Sequence, residues 1–344
     1  MLIDMHAHVI PSGFPEGGGR AGADRWPRME PADSGGGRVL VAGQMRLPAR
    51  EVWFDAERRL EAMDANGVDA EVVSPLPPLL DYAMTPEDGL ALSRCVNEFI
   101  GRLREVAPDR FFGLGSVPLQ DPDLAARELA QVLQLGLSGV EIGSNAGGRS
   151  LGDERFLGFF QEAERLGVPI FVHALNPTFG DRLPGPAMAS FGFATEVALA
   201  AASIAMGGTA ERCPDLRLAF SHGAGGFPLM LTRAQWFWGG GWNEELPPDG
   251  MPAGPIKAPP GAPGSPSEYA RRFYYDTLVF DRRALRYLVD MIGPSRLLVG
   301  TDFPAMPREQ PAGRTLRELG LPPEVLDDIT WHNCFRFLGV PEPA

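Results

Sequence analysis

Eight short apolar runs, each followed by a stretch of helical periodicity, set the tightest limit on how this chain folds. The runs cover residues 2–6, 69–74, 111–116, 138–143, 168–173, 217–222, 273–277 and 296–302. Helical patterns follow at 55–64, 86–106, 121–135, 153–166, 193–212, 227–236 and 281–292, with closing helices to about 337. Strand-then-helix alternation implies a parallel sheet, because each strand must be re-entered through a crossover. Eight units in one chain predict an α/β fold closed as a (β/α)8 TIM barrel. An open dinucleotide-binding sheet would carry a Gly-x-Gly-x-x-Gly turn directly after a strand, and none does.

A chain of 344 residues fits one such barrel. Residues 1–344 are therefore read as a single barrel domain with two excursions. One is a Gly- and Pro-rich insertion after strand 1, about 11–50, and the other a Pro/Gly-rich stretch at about 239–268. A connector as long as the first is usually functional. Asp55 and Asp121 are placed as helix N-caps, and Gly67 as a helix stop.

The formal net charge of −13 argues against a nucleic-acid partner, since phosphate binding needs a basic stripe. An anionic substrate then needs local arginines. Three separated cysteines, Cys95, Cys213 and Cys334, show no thiolate-zinc spacing. No uninterrupted apolar run has the length of a membrane span, and no basic leader precedes strand 1, so a cytoplasmic enzyme with no membrane partner is expected.

Four of the five histidines fall at or just past the C-terminal end of an apolar run: His6 and His8, His173, and His222. Asp302 closes the last run in the same way. In a barrel that end is the catalytic face, so strands 1, 5, 6 and 8 deliver four imidazoles and a carboxylate to one rim. His6 and His8 are two apart, and side chains two apart on a strand share a face. Imidazoles with a carboxylate suit a borderline divalent ion, Zn²⁺ first and another transition metal second. Such an ion lowers the pKa of bound water and polarises substrate oxygens. A further histidine outside the ligand set can shuttle protons. His332, late in a helical segment, is read as a hydrogen-bonding residue rather than a ligand.

These residues, with Ile3-Asp-Met-His-Ala-His-Val-Ile-Pro11, Arg58-Arg-Leu-Glu-Ala-Met-Asp-Ala-Asn-Gly67, Phe111-Phe-Gly-Leu-Gly-Ser-Val-Pro118, Phe220-Ser-His-Gly-Ala-Gly-Gly-Phe-Pro228 and Gly300-Thr-Asp-Phe-Pro304, make the chain resemble the amidohydrolase superfamily. More narrowly it is similar to the branch around 2-amino-3-carboxymuconate-6-semialdehyde decarboxylase. The resemblance implies a metal held by His6, His8, His173 and Asp302, with His222 as acid/base. It also implies two arginines for substrate carboxylates: Arg46, with Arg50 close behind, and Arg233, which enters from a neighbouring subunit and so requires a homodimer.

Two departures bear on the substrate. The branch's decarboxylase has Pro-Trp after the strand-5 histidine, whereas Ala174-Leu175 stands here, and its lysine upstream of the first arginine falls near Val41 or Ala42. A pocket shaped for a different acid is expected, with Phe179, Phe191, Trp236 and Trp238 as candidate aromatic walls. The expected function is zinc-dependent, non-oxidative decarboxylation of a small unsaturated or aromatic carboxylic acid. Hydrolysis or hydration by the same metal site is the alternative.

Overall fold

A computed structural model describes residues 1–15, 25–33, 37–238 and 264–343. Among these residues, eight parallel strands form one sheet in the order β1 (Ile3–Val9), β5 (Ala70–Pro75), β6 (Phe111–Gly115), β7 (Gly139–Gly143), β10 (Ile170–His173), β11 (Leu218–Phe220), β12 (Tyr274–Asp276) and β13 (Leu297–Leu298). The ring closes where Ala7 bridges Phe303 in parallel and the Met5 and His8 amides donate to the Val299 and Phe303 carbonyls, each at 2.7 Å. The chain is a (β/α)8 barrel. Each of the eight expected strands is present, shorter by a residue or more at most ends.

Between β1 and the first barrel helix, the Gly/Pro-rich insertion carries an antiparallel sheet of β2 (Arg28–Pro31), β3 (Arg38–Ala42) and β4 (Met45–Ala49). A short ribbon, β8 (Asn145–Ala146) with β9 (Arg149–Ser150), follows β7. The Pro/Gly-rich stretch expected at 239–268 lies outside the described residues up to 263; beyond it Pro266–Ala270 form a helix.

The helices are α1 (Ala56–Asn66), α2 (Pro86–Val106), α3 (Pro122–Gln134), α4 (Leu157–Leu166), α5 (Phe193–Met206), α6 (Thr209–Arg212), α7 (Phe227–Trp238), α8 (Pro266–Ala270), α9 (Arg282–Ile292), α10 (Arg314–Arg317), α11 (Pro323–Asp327) and α12 (Asn333–Leu338). Asp55 and Asp121 cap α1 and α3 by accepting the amides of Arg58 and Leu124, which satisfies first-turn donors. The single helix expected over 193–212 is two. Gly207 packs where a Cβ would lie 2.5 Å from the Ser203 carbonyl and 2.7 Å from that of Gly152, so the chain turns there. Met188–Met206 is apolar and long enough by composition to span a bilayer, yet Val197, Ala201 and Ile204 are buried in the hydrophobic core, as in a core helix.

One irregularity positions the site. Between Asp4 and Ala7, β1 spends three residues against two on β5, a bulge that breaks period two. Asp4 packs with Glu71 of β5, Arg59 of α1 and Arg308, all at most 1% exposed. His6, within the bulge, and His8, beyond it, instead pack against His173, and His6 also against Phe171. Two carboxylates and two guanidiniums buried together balance in charge, and removing any one would strand another.

Candidate metal centre

The five expected side chains converge at the C-terminal mouth of the barrel. His6 and His8 face each other with their Nε2 atoms 3.1 Å apart. Asp302 Oδ1 lies 3.1 Å from His8 Nε2 and 3.7 Å from His6 Nε2, while its Oδ2 is 3.8 Å from His222 Nε2. One ligand atom from each of His6, His173, His222 and Asp302 falls within a 4.8 Å span.

The outward nitrogens set the tautomers. His6 Nδ1 meets Asp276 Oδ2 at 2.7 Å, His8 Nδ1 meets the Pro75 carbonyl at 3.0 Å, and His173 Nδ1 meets the Ala174 carbonyl at 2.9 Å. A carbonyl or an ionised carboxylate only accepts, so each Nδ1 carries a proton and each Nε2 is the atom turned to the shared centre. His173 Nε2 is buried with no hydrogen-bond partner. Burial, then the neighbouring His6 and His8, hold the His173 imidazole well below its usual pKa, so it is neutral. Burial works to raise the Asp302 carboxyl, but His222 and His8 beside it outweigh that and keep it well below the usual carboxylate range. A neutral His173 with an orphaned Nε2, and the Nε2 atoms of His6 and His8 turned to the same ionised carboxylate, fit a divalent transition metal, with outer partners already fixing the rings.

His222 stands on a contorted turn after β11. Residues His222 (φ 54°), Gly223 (φ 58°), Ala224 (φ 56°) and Gly225 (φ 56°) are all left-handed. At Gly225 a Cβ would lie 1.9 Å from the Ala194 carbonyl, which no side chain tolerates, and this close approach gives the Gly-rich run after His222 its reason. Strain of this kind gathers at functional sites. Asp302 itself has φ 59°.

Two site residues escape a reading of the sequence that looks for histidines. Asp276, at the end of β12, accepts from His6 through Oδ2 and from the Gly223 amide at 2.9 Å through Oδ1. It obeys the rule that singled out Asp302, a carboxylate closing a barrel strand, and that signal was available. Glu141, inside β7, is fully buried 3.7 Å from His8 Nδ1, and neither of its oxygens makes a hydrogen bond, since the Ser74 hydroxyl is committed to Ala7 and His8. Burial pushes its carboxyl up to about 7. Nothing local in Val140-Glu-Ile142 marks it.

The arginines are elsewhere. Arg46, on β4, points away from the cavity that Met45 lines, is half exposed and pairs with Glu30 at 2.9 Å. Arg50 is nearer, donating to the Pro304 carbonyl at 3.4 Å. Arg233, exposed on α7, covers the ring of its own Phe237. The cavity takes aromatic walls from Phe193 and Phe280 rather than from the four aromatics expected. His332 Nδ1 meets Glu342 Oε1 at 2.8 Å, outside the site.

Residues 3–340 match the Amidohydrolase family. The chain belongs to that family. It is 30% identical over 343 residues to 2-amino-3-carboxymuconate-6-semialdehyde decarboxylase of Dictyostelium discoideum, covering 99% of this chain and 92% of the relative. A gamma-resorcylate decarboxylase of Rhodococcus jostii is 32% identical over 193 residues, 51% of this amidohydrolase and 58% of that one. Among solved structures, 5-carboxyvanillate decarboxylase from Sphingomonas paucimobilis superposes with a TM-score of 0.77 at 27% identity, covering 99% of both chains. A dihydroxybenzoic acid decarboxylase from Polaromonas sp. JS666, solved with bound manganese, has the same fold with a TM-score of 0.72 at 21% identity, covering 98% of this chain and 96% of that one.

Proposed function

We propose that this amidohydrolase is a metal-dependent, non-oxidative carboxy-lyase that removes CO₂ from a small aromatic or unsaturated carboxylic acid. The observation that carries this reading is the set of three imidazoles whose Nδ1 protons are tied to outer acceptors, turning their Nε2 atoms to one centre beside Asp302. His6, His8, His173 and Asp302 would hold the ion, zinc in the first instance and manganese in the second. When bound, the ion supplies positive charge that orients the acid and polarises its oxygens.

His222 is given the proton. Its Nε2 faces the same centre, and its side chain lines the cavity, whereas His6 and His8 are fully enclosed. Decarboxylation at an sp² carbon requires a proton on that carbon, after which the carbon–carboxylate bond breaks and its electron pair returns to the ring or double bond as CO₂ leaves. A positioned imidazole that carries a proton supplies it, and His222 Nε2 lies 3.8 Å from Asp302 Oδ2 at that centre. Asp276 acts on both partners, orienting His6 through one oxygen and the turn after His222 through the other.

The test is a survey of small aromatic acids with protein loaded in turn with zinc and manganese, run in heavy water. Release of CO₂ with deuterium at the carbon that lost it is the expected result. Incorporation of ¹⁸O from labelled water, without CO₂, would make the protein a hydrolase or hydratase instead. Metal analysis of protein purified without chelator tests the site itself.

A further inference from the structure

A cavity of about 870 Å³ opens above the candidate metal centre. That is near the upper end of the roughly 300–1,000 Å³ typical of pockets that enclose drug-sized ligands, and more than a single-ring acid occupies. Its titratable side chains among the described residues, Tyr287 apart, are His173, His222 and Asp302, all at the metal end. Among the described residues of this chain, no arginine or lysine lines it. The two hydroxyls on the wall are committed: Ser190 donates to the Pro186 carbonyl at 3.2 Å, and Tyr287 to the Pro228 carbonyl at 3.2 Å. Among the described residues of the same chain, a second carboxylate buried against this wall would find neither a cation nor a free side-chain donor, and burying an unpaired charge is heavily disfavoured.

The far end is apolar and open. Leu229 of α7 and Phe280, both lining the cavity, are 67% and 71% exposed. Phe280 holds φ 61°, a backbone conformation that a bulky side chain rarely adopts. It follows Thr277-Leu-Val279 and precedes the Asp281 cap of α9, so the turn that carries it is tied at both ends.

We infer that the site takes an aromatic acid with one carboxylate and an extended apolar substituent on the side of the ring remote from it, covered at its end by Phe280 and Leu229. The carboxylate points to the metal end and the substituent fills the rest. This rests on the carboxy-lyase reading for which end the acid occupies, but its test is by binding and needs no turnover.

Three nitro-substituted resorcinol ligands separate the possibilities in titration calorimetry on the metal-loaded full chain. They are 2-nitroresorcinol, a molecule seen as an inhibitor in the Polaromonas structure, 5-pentyl-2-nitroresorcinol, and 3,5-dihydroxy-4-nitrobenzoic acid. The pentyl compound is expected to bind at least tenfold tighter than 2-nitroresorcinol, and the carboxylated compound more weakly than it. Phe280→Gly, which suits the positive φ, should cut the pentyl advantage to under threefold and leave 2-nitroresorcinol within twofold. Equal or tighter binding of the carboxylated compound, no gain from the pentyl chain, or an undiminished gain in Phe280→Gly would each overturn the inference. Pentyl selectivity without CO₂ release from 4-pentyl-2,6-dihydroxybenzoate would sink the lyase reading and leave this one standing. CO₂ release from 2,6-dihydroxybenzoate with no pentyl gain would do the reverse.

Discussion

Asp276 joins the two halves of the candidate site: its Oδ2 accepts from His6 Nδ1 at 2.7 Å, and its Oδ1 accepts from the amide of Gly223, the residue after His222, at 2.9 Å. Burial works to raise this carboxyl, but the His6 hydrogen bond and the amide outweigh it and hold it below the usual range. Asp276→Asn keeps the shape and removes the charge, so His6 loses the acceptor that fixes its tautomer. Metal affinity should fall about 10–100-fold, read by competition with a chelator, and turnover should fall with it.

His222 and the ligands should separate cleanly. His222→Ala is expected to lower kcat by about 10²–10⁴ while metal content stays at the wild-type stoichiometry. His173→Ala should lose the metal. Loss of metal in His222→Ala would instead place that imidazole among the ligands, consistent with its membership of the 4.8 Å cluster.

Gly300, just past β13, sits against both Asp276 of β12 and His6 of β1. A Cβ there would lie 2.8 Å from the Cβ atoms of both Asp276 and His6. Gly300→Ala must push one of them aside, at a cost of about 1–3 kcal/mol as an overpacked core substitution. Weakened metal binding with a folded circular-dichroism spectrum is the expected outcome.

The buried quartet behind β1 predicts a pH dependence. Burial would raise the Glu71 carboxyl, but Arg59 and Arg308 outweigh it and hold it below 4.5. A depressed carboxylate contributes stability above its unfolded value, and that contribution is lost as pH falls through the folded one. Asp4, raised chiefly by burial, contributes with the opposite sign. Glu71→Gln leaves two guanidiniums short of charge and should cost about 3–5 kcal/mol near pH 7. The gap in thermal midpoint between variant and wild type should narrow as pH drops below 4.5. A constant gap from pH 7 to pH 3 would contradict the assignment.

The arginines are tested by mixing. Arg46, paired with Glu30 at the surface, belongs to a class of ion pair worth about 0–1 kcal/mol. Arg46→Ala should leave kcat/KM within about threefold. We propose that Arg233 acts across a homodimer, in which case hybrids of Arg233→Ala with His222→Ala protein should recover activity that neither variant has alone. No recovery would remove the trans role.

The barrel was legible from the chain because its signals are local. Eight apolar runs alternating with helical periodicity, and caps such as Asp55 and Asp121, need no partner to be recognised. The rule that barrel strands end at the catalytic face likewise brought His6, His8, His173, His222 and Asp302 together before any distance was known. What tertiary structure alone decided is how those groups are held and what surrounds them. The bulge after Asp4 turns that carboxylate away from the site while His6 and His8 stay in it, and a register shift exists only between two strands. Glu141 beside His8, Asp276 bridging to Gly223, Arg46 turned to solvent and Phe280 at the cavity mouth are contacts between segments far apart in the chain. Periodicity records which face of a segment is buried, and only packing determines what that face meets.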